Sequence, residues 1–268
     1  MDALAELVES LPAGVVATDP ARVEGYRFDW SRDPGAGTPV AVVRVEDAGQ
    51  VQAAVRWAAA HDVPVVPRGA GSGLSGGASA VDGGIVLSLE RMRAIEIDTD
   101  CQVAVVEPGA FNAAVKAAAK EHGLWYPPDP SSFEICSIGG NVATNAGGLC
   151  CVKYGVTTDY VLGLDVVLAD GTLVTLGGKR IKDVAGLSLV KLFVGSEGTL
   201  GIVGRKHLGR TVFREDSGHH FGVLGAGPAT FVGAGHQHRG RRAVQVHAQG
   251  VLDGVDRRRI HELEHRRS

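Results

Sequence analysis

The stretch Val65-Val66-Pro67-Arg68-Gly69-Ala70-Gly71-Ser72-Gly73-Leu74-Ser75-Gly76-Gly77 contains a literal G-x-G-x-x-G at Gly71, Gly73 and Gly76. In a dinucleotide-binding βαβ unit those glycines follow a strand and open a helix of about a dozen residues, with an acid about 20 residues on for the ribose. The strand is present here, and Glu90 stands where the acid would. The helix is not: only Gly77 to Gly83 separates the glycines from a new apolar run at Gly84. What remains is a loop with five glycines in the nine positions Gly69 to Gly77. Its backbone N–H groups are unshielded by side chains, which is the composition of an anion nest. The rigid flanks VPVVP and GIVLSL argue against a mere flexible linker.

A second run of small residues lies at Ser137 to Gly148, SIGGNVATNAGG. Gly139, Gly140, Gly147 and Gly148 leave space there, while Asn141, Thr144 and Asn145 offer donors and acceptors. The run can hold a flat heterocycle with imide edges, or it can be a tight helix crossing packed through Gly and Ala. Around these two runs the pattern predicts strands at 40–45, 63–66, 84–89, 94–97 and 102–106, with helices at 48–60 and 109–122. It further predicts a hairpin of 161–168 and 172–176 turning at Asp170-Gly171, and a short helix near 187–193.

The 268 residues are 44% hydrophobic, enough for one large domain or two modest ones with their own cores. No window reaches the length of a membrane-spanning apolar run, and the start MDALAELVESLPAG carries acids where a secretory signal carries bases. The reading is a cytoplasmic, globular protein. Cys101, Cys136, Cys150 and Cys151 have no metal-clamp spacing and read as reduced thiols.

Together PRGAGSGLSGGA, PPDPSSFEICSIGGNVATNAGG, KYGVT, LGLDVVLADGT and KLFVGSEGTLGIV closely resemble the FAD-linked oxidases of the glycolate oxidase subunit and D-lactate dehydrogenase group. Their flavin fold is that of vanillyl-alcohol oxidase relatives (PCMH type). The resemblance runs from about Leu11 to Val203. It implies a two-lobed α+β FAD-binding domain, divided here as 1–95 and 96–203, without the substrate domain of the family. It implies the pyrophosphate on Arg68, Gly69, Ala70, Gly71, Ser72, Gly73, Leu74, Gly76 and Gly77, and the flavin near Ser137, Gly139, Gly140, Asn141, Thr144, Asn145, Gly147 and Gly148. Further contacts are implied from Pro128, Asp129, Ser131, Tyr154, Gly155, Gly198 and Ile202.

Some relatives bond the flavin covalently through a His or a Cys. Ser72 and Phe133 occupy those positions here and cannot form the bond, so non-covalent FAD is expected, Cys136 being a nearby alternative. The implied activity is oxidation of a small 2-hydroxy acid, in which hydride passes to the flavin while a basic side chain takes the hydroxyl proton. The base belongs to the absent domain, so no catalytic residue is assigned. The alternative is an FAD-binding module or remnant without chemistry of its own, completed by a partner subunit.

Beyond Val203 the text changes. Residues 1–203 hold 15 Lys plus Arg against 24 Asp plus Glu, whereas 204–268 hold 12 against 6 together with eight of the ten histidines. Apolar residues there follow neither helical nor strand period. The reading is an aberrant, disordered tail from an out-of-frame translation. Neither the His219-His220 and His236/His238 pairs nor the Arg-rich end RRRIHELEHRR reads as a metal or nucleic-acid site.

Overall fold

The computed structural model describes residues 3–209, with side chains to 204. The tail expected to be disordered from 204 on is strand at 204–209, a correction to that expectation; the rest of it, with its histidine pairs and its Arg-rich end, lies outside the described residues.

Three parallel strands and one antiparallel edge strand create the first sheet. Helix α1 (Ala3–Ser10) and the short edge strand β1 (Val16–Ala17) precede α2 (Pro20–Glu24) and β2 (Ala41–Arg44). Helix α3 (Ala48–Ala60) follows. Its N-cap Asp47 accepts a hydrogen bond from Gln50 N at 2.9 Å, satisfying one of the helix's orphan donors. Its inner face buries Val51, Ala54, Val55, Trp57 and Ala58, each large apolar side chain contributing about 1.5–3 kcal/mol. Trp57 also donates its indole N–H to Ala3 O, which fastens α1.

Strands β3 (Val65–Arg68) and β4 (Ile85–Ser88) complete the sheet in the order β1-β2-β4-β3. Arg44 and Arg68 both stand opposite Ser88, so the three parallel strands end in register. Parallel sheets offer ligand crevices beyond such carboxyl ends, and the glycine loop leaves from this one. β4 is buried at all four positions, three apolar residues and then Ser88, as a strand covered on both faces requires.

The second sheet is wholly antiparallel. Strands β5 (Ile95–Asp98) and β6 (Val103–Val106) form a hairpin, and helix α4 (Asn112–Glu121) follows. The small-residue run folds as α5 (Ile138–Ala143), N-capped by Ser137; α6 (Cys151–Tyr154) and a 3-10 turn at Thr157–Asp159 come next. Then β7 (Val161–Val167) turns back into β8 (Leu173–Gly177), and α7 (Leu189–Phe193) leads to β9 (Ile202–Gly209). The order is β5-β6-β9-β7-β8. β9 runs six residues past Val203, where the family-like text stops, pairing with both β6 and β7.

Each sheet has its own core. One gathers α1, α3, β2 and β4 together with Val167 and Ile202. The other gathers β6, β7 and α5 with Tyr126, Val190 and Phe193. Val167 and Ile202, at the end of the second sheet, belong to the first core and so join the two layers.

Candidate functional site

Beyond β3 the chain makes no helix before β4; residues 69–84 are turns and loop. The would-be ribose acid is occupied elsewhere. Glu90 accepts from Tyr26 Oη at 2.6 Å and from Arg44 Nε at 2.7 Å. Burial pushes its pKa up, but these two hydrogen bonds outweigh that and hold it below the usual carboxylate range. The dinucleotide βαβ reading is thereby excluded.

The loop itself is held from outside. Arg68, its guanidinium pushed down in pKa by burial, donates from Nη1 to Phe28 O at 3.0 Å and to Ala78 O at 3.1 Å. Trp30 N donates to Gly71 O, and Ala80 N to Arg27 O. The buried carboxylate of Asp29 collects Ser31 N, Ser31 Oγ, Ser79 Oγ and, at 3.5 Å, Ala78 N. These bonds outweigh burial and hold its pKa below normal. Residues 27–31 thus strap the loop at both ends and leave its middle unpaired. Among the described residues, no N–H from Gly71 to Gly77 has a hydrogen-bond partner. Gly71 (φ 69°) and Gly76 (φ 81°) supply the left-handed turns that a concave row of amides needs.

Ser137 couples this loop to the second run. Its Oγ accepts from Ala70 N at 3.1 Å and from Gly140 N at 3.3 Å. The approach is close enough that only glycine fits at 69, since a Cβ there would lie 2.2 Å from Ser137 Oγ. Gly139 is equally constrained, because a Cβ would lie 2.8 Å from Pro108 O. Asn141 faces the same cleft, 2% exposed, and its Nδ2 has no hydrogen-bond partner; the amide reaches only toward the Cys136 sulfur, a weak acceptor. Cys136 is buried, and burial pushes its thiol up.

A cleft of about 190 Å³ results, walled by the glycine loop, α5, Pro130, Ser132 and the turn from Phe193 to Val203. Of the residues singled out in the sequence, Arg68, Gly69, Ala70, Gly71, Ser72, Gly73 and Gly77 line it from the loop. Ser137, Gly139, Gly140, Asn141 and Thr144 line it from the second run, and Gly198 and Ile202 from the turn.

The remainder are not in its lining. Leu74 points outward at 75% exposure, and Gly76 beside it turns the loop. Pro128 O caps Asn112 Nδ2 at 3.3 Å. Asp129 Oδ1 accepts from Cys150 N, and its backbone presses on Gly148 so closely that a Cβ would lie 2.0 Å from Asp129 O. Ser131 is exposed between lining residues Pro130 and Ser132. Asn145, at φ 48°, spends its Oδ1 on Thr158 N. Gly147 packs on Val156 and Cys151, Tyr154 stands edge-on to Trp125, and Gly155 abuts Asp159.

Asp29 and Glu197 line the cleft without having been singled out in the sequence. Asp29 had a local signal, the Asx turn to Ser31 N, but nothing in the chain order placed it beside a loop forty residues on. Phe133 lies outside the lining, whereas Ser72 and Cys136 are in it. Among the described residues no group of three His, Cys, Asp or Glu is placed to hold a metal. Nor is any described helix long and apolar enough to cross a membrane.

A family model described as an FAD binding domain matches residues 39–177, just over half of the chain and all of this cleft's lining except Asp29 and the last turn. The chain belongs to this family of FAD-linked oxidases. Its segment is 49% identical over 166 residues to the glycolate oxidase subunit GlcD of Bacillus subtilis (62% of this chain, 35% of the relative). It is 41% identical over 206 residues to a D-lactate dehydrogenase of Archaeoglobus fulgidus (76% and 44%). Among solved structures, 4-ethylphenol oxidase from Gulosibacter chungangensis superposes with a TM-score of 0.65 at 27% identity, covering 77% of this chain and 42% of that one. The two-sheet α+β architecture is the vanillyl-alcohol-oxidase type of FAD-binding domain. The chain spans less than half the length of each of these relatives.

Proposed function

We propose that this chain binds FAD non-covalently, its pyrophosphate on the loop Gly69 to Gly77, as the cofactor half of a cytoplasmic oxidoreductase of small 2-hydroxy acids. The observation that carries the reading is the row of unpaired N–H groups from Gly71 to Gly77, brought by Ser137 against a run containing the buried, unpartnered Asn141 Nδ2. A buried donor without an acceptor is costly, on the order of 1–3 kcal/mol, and a ligand carrying carbonyl or phosphate oxygens relieves it. The residues present therefore fit the group. Donors from the loop would hold the phosphates, while Asn141, Gly139 and Gly140 would meet the flat ring.

When bound, FAD supplies the two-electron acceptor for a hydride leaving the hydroxyl-bearing carbon of the acid. The chain's own residues bind and orient it. The names of the relatives, glycolate oxidase subunit and D-lactate dehydrogenase, support a 2-hydroxy acid as substrate. Non-covalent attachment is supported by Ser72 in the loop, which cannot bond the ring, and by the burial that keeps the Cys136 thiol protonated. The lobes are drawn at 1–95 and 96–203, with the last strand of the second sheet running on to Gly209 and the remainder of 204–268 read as a tail.

A second reading, a cofactor-binding module without chemistry of its own, is favoured by one observation. Among the described residues no histidine lines the cleft; His61 pairs with Glu6 at the far end of α3, and His122 caps α4. One experiment separates the two. The full chain is loaded with FAD, and glycolate or D-lactate is added without oxygen. Bleaching of the flavin absorbance supports an oxidoreductase complete in itself, whereas bound FAD that stays yellow supports the module. Failure to retain FAD at all overturns both.

A further inference from the structure

Two cysteines stand side by side just after the small-residue run. Cys150 is exposed and Cys151 half-buried, and both are free thiols. Cys150 N donates to Asp129 Oδ1 at 3.2 Å, and its thiol faces the same carboxylate, whose hydrogen bond holds the thiol above its usual pKa. Cys151 lies against Gly147, its sulfur 3.5 Å from where a Cβ would stand. The pair also carries the turn that follows it. Lys153 N and Tyr154 N donate to Cys150 O at 3.1 and 3.0 Å, and Gly155 N donates to Cys151 O at 2.8 Å. The bonds that close α6 therefore all end on the carbonyls of the two cysteines.

Adjacent thiols can join only in a small ring through the one peptide bond between them. That bond is trans here and sets the two Cα atoms about 3.8 Å apart, nearer than the roughly 4.4–6.8 Å of an unstrained disulfide. Such a ring is strained and easily reduced again, the character of a regulatory disulfide and not of a structural staple. Closing it turns the peptide that bears Cys150 O, draws the Cys150 sulfur off Asp129 and draws the Cys151 sulfur off Gly147. We propose that Cys150 and Cys151 form a reversible two-electron modification site, oxidised by small disulfides to a vicinal ring that unties α6. One cysteine thiolate attacks a sulfur of the small disulfide; its S–S bond breaks, one small thiolate leaves and a mixed disulfide remains. The neighbouring thiolate then attacks the cysteine sulfur of that mixed disulfide and releases the second small thiolate. Two protons and two electrons leave the pair, and the small disulfide becomes two thiols. A second consequence rests on the FAD reading above: Gly147 and Gly148 end the run that would meet the flat ring, so the oxidised chain holds FAD less well.

The test uses the full chain on a C101S background, which removes the other exposed thiol. This parent and its C136S, C150S and C151S derivatives are incubated ligand-free with glutathione disulfide, and intact mass, the rate of tryptic cleavage after Lys153 and FAD affinity are read. The parent and C136S are expected to lose the mass of two hydrogen atoms, whereas C150S and C151S gain one glutathione and stop. The oxidised parent is expected to be cut after Lys153 about 10-fold faster than the reduced one and to bind FAD about 2- to 10-fold more weakly, as the loss of one or two hydrogen bonds implies. Dithiothreitol should reverse both. A parent that resists oxidation or stops at the glutathione adduct overturns the inference. So does a loss of two hydrogens that persists in C150S or C151S, or that disappears in C136S, since the bridge then runs to Cys136. A ring that leaves either the cleavage rate or the FAD affinity unchanged overturns it too. If the reduced parent binds no FAD, the cofactor reading fails and the cleavage rate alone decides this inference.

Discussion

Ser137 Oγ receives the N–H of Ala70 at 3.1 Å, and through that bond the glycine loop of the parallel sheet and the N-terminus of α5 become two walls of one cleft. The pair is sixty-seven residues apart in sequence. Ser137→Ala removes the acceptor of both Ala70 N and Gly140 N and is expected to cost about 1–2 kcal/mol of stability as a lost helix cap, and to weaken FAD binding besides. Urea unfolding and FAD titration check the two effects, and Ser137→Thr, which keeps the hydroxyl, should restore part of each.

Gly69 and Gly73 are expected to behave differently although both belong to the loop. A Cβ at Gly69 would collide with Ser137 Oγ, so Gly69→Ala should lower the melting temperature of the ligand-free protein. At Gly73 a Cβ meets nothing nearer than Asp29 Oδ2 at 3.8 Å, so Gly73→Val should fold nearly normally and yet lose FAD, its branched side chain standing over the unpaired amides. Equal loss of folding and binding in Gly73→Val would make the loop structural.

Asn145→Ala is expected to act on stability. The side chain gives Oδ1 to Thr158 N, and the backbone sits at φ 48°. Loss of both the bond and the tolerance for that conformation should cost about 1–3 kcal/mol. Asn145→Gly, which relieves the backbone, should lose less in the same chemical denaturation experiment.

Acid should unfold the protein in part through Glu90. Its pKa is lowered on folding despite burial, by the hydroxyl of Tyr26 and the guanidinium of Arg44. Its stabilising contribution is therefore complete above the unfolded carboxyl pKa of about 4.3 and is lost as pH falls through the lower folded value. Glu90→Gln should flatten that acid limb of the stability profile while lowering stability at pH 7. An unchanged limb would show that other carboxylates govern it.

Acid precipitation of the FAD-loaded chain should leave a colourless pellet and a yellow supernatant. Colour kept in the pellet would point to Cys136, the one cleft-lining thiol.

The sequence by itself determined the pieces. The apolar runs at 41–43 and 85–87 read as strands, 48–60 as a helix, and Asp170-Gly171 as the turn from β7 into β8. These rest on local rules, side-chain period, caps and turns, that act within a few residues. It also determined that the glycine loop opens no βαβ helix, since seven residues cannot hold one before the next strand. Only the tertiary structure decided which small residues face the cleft. Asn141 and Asn145 stand four apart in one run, yet α5 ends between them, so the first is turned inward with an unsatisfied amide and the second caps the following turn. Asp29 and Glu197 come into the cleft from opposite ends of the domain, Asp29 by a strap bound to Ser79 and Glu197 by a turn bound to Ala143. Their partners lie 50 and 54 residues away, and no local pattern encodes a contact made only when two sheets close on each other.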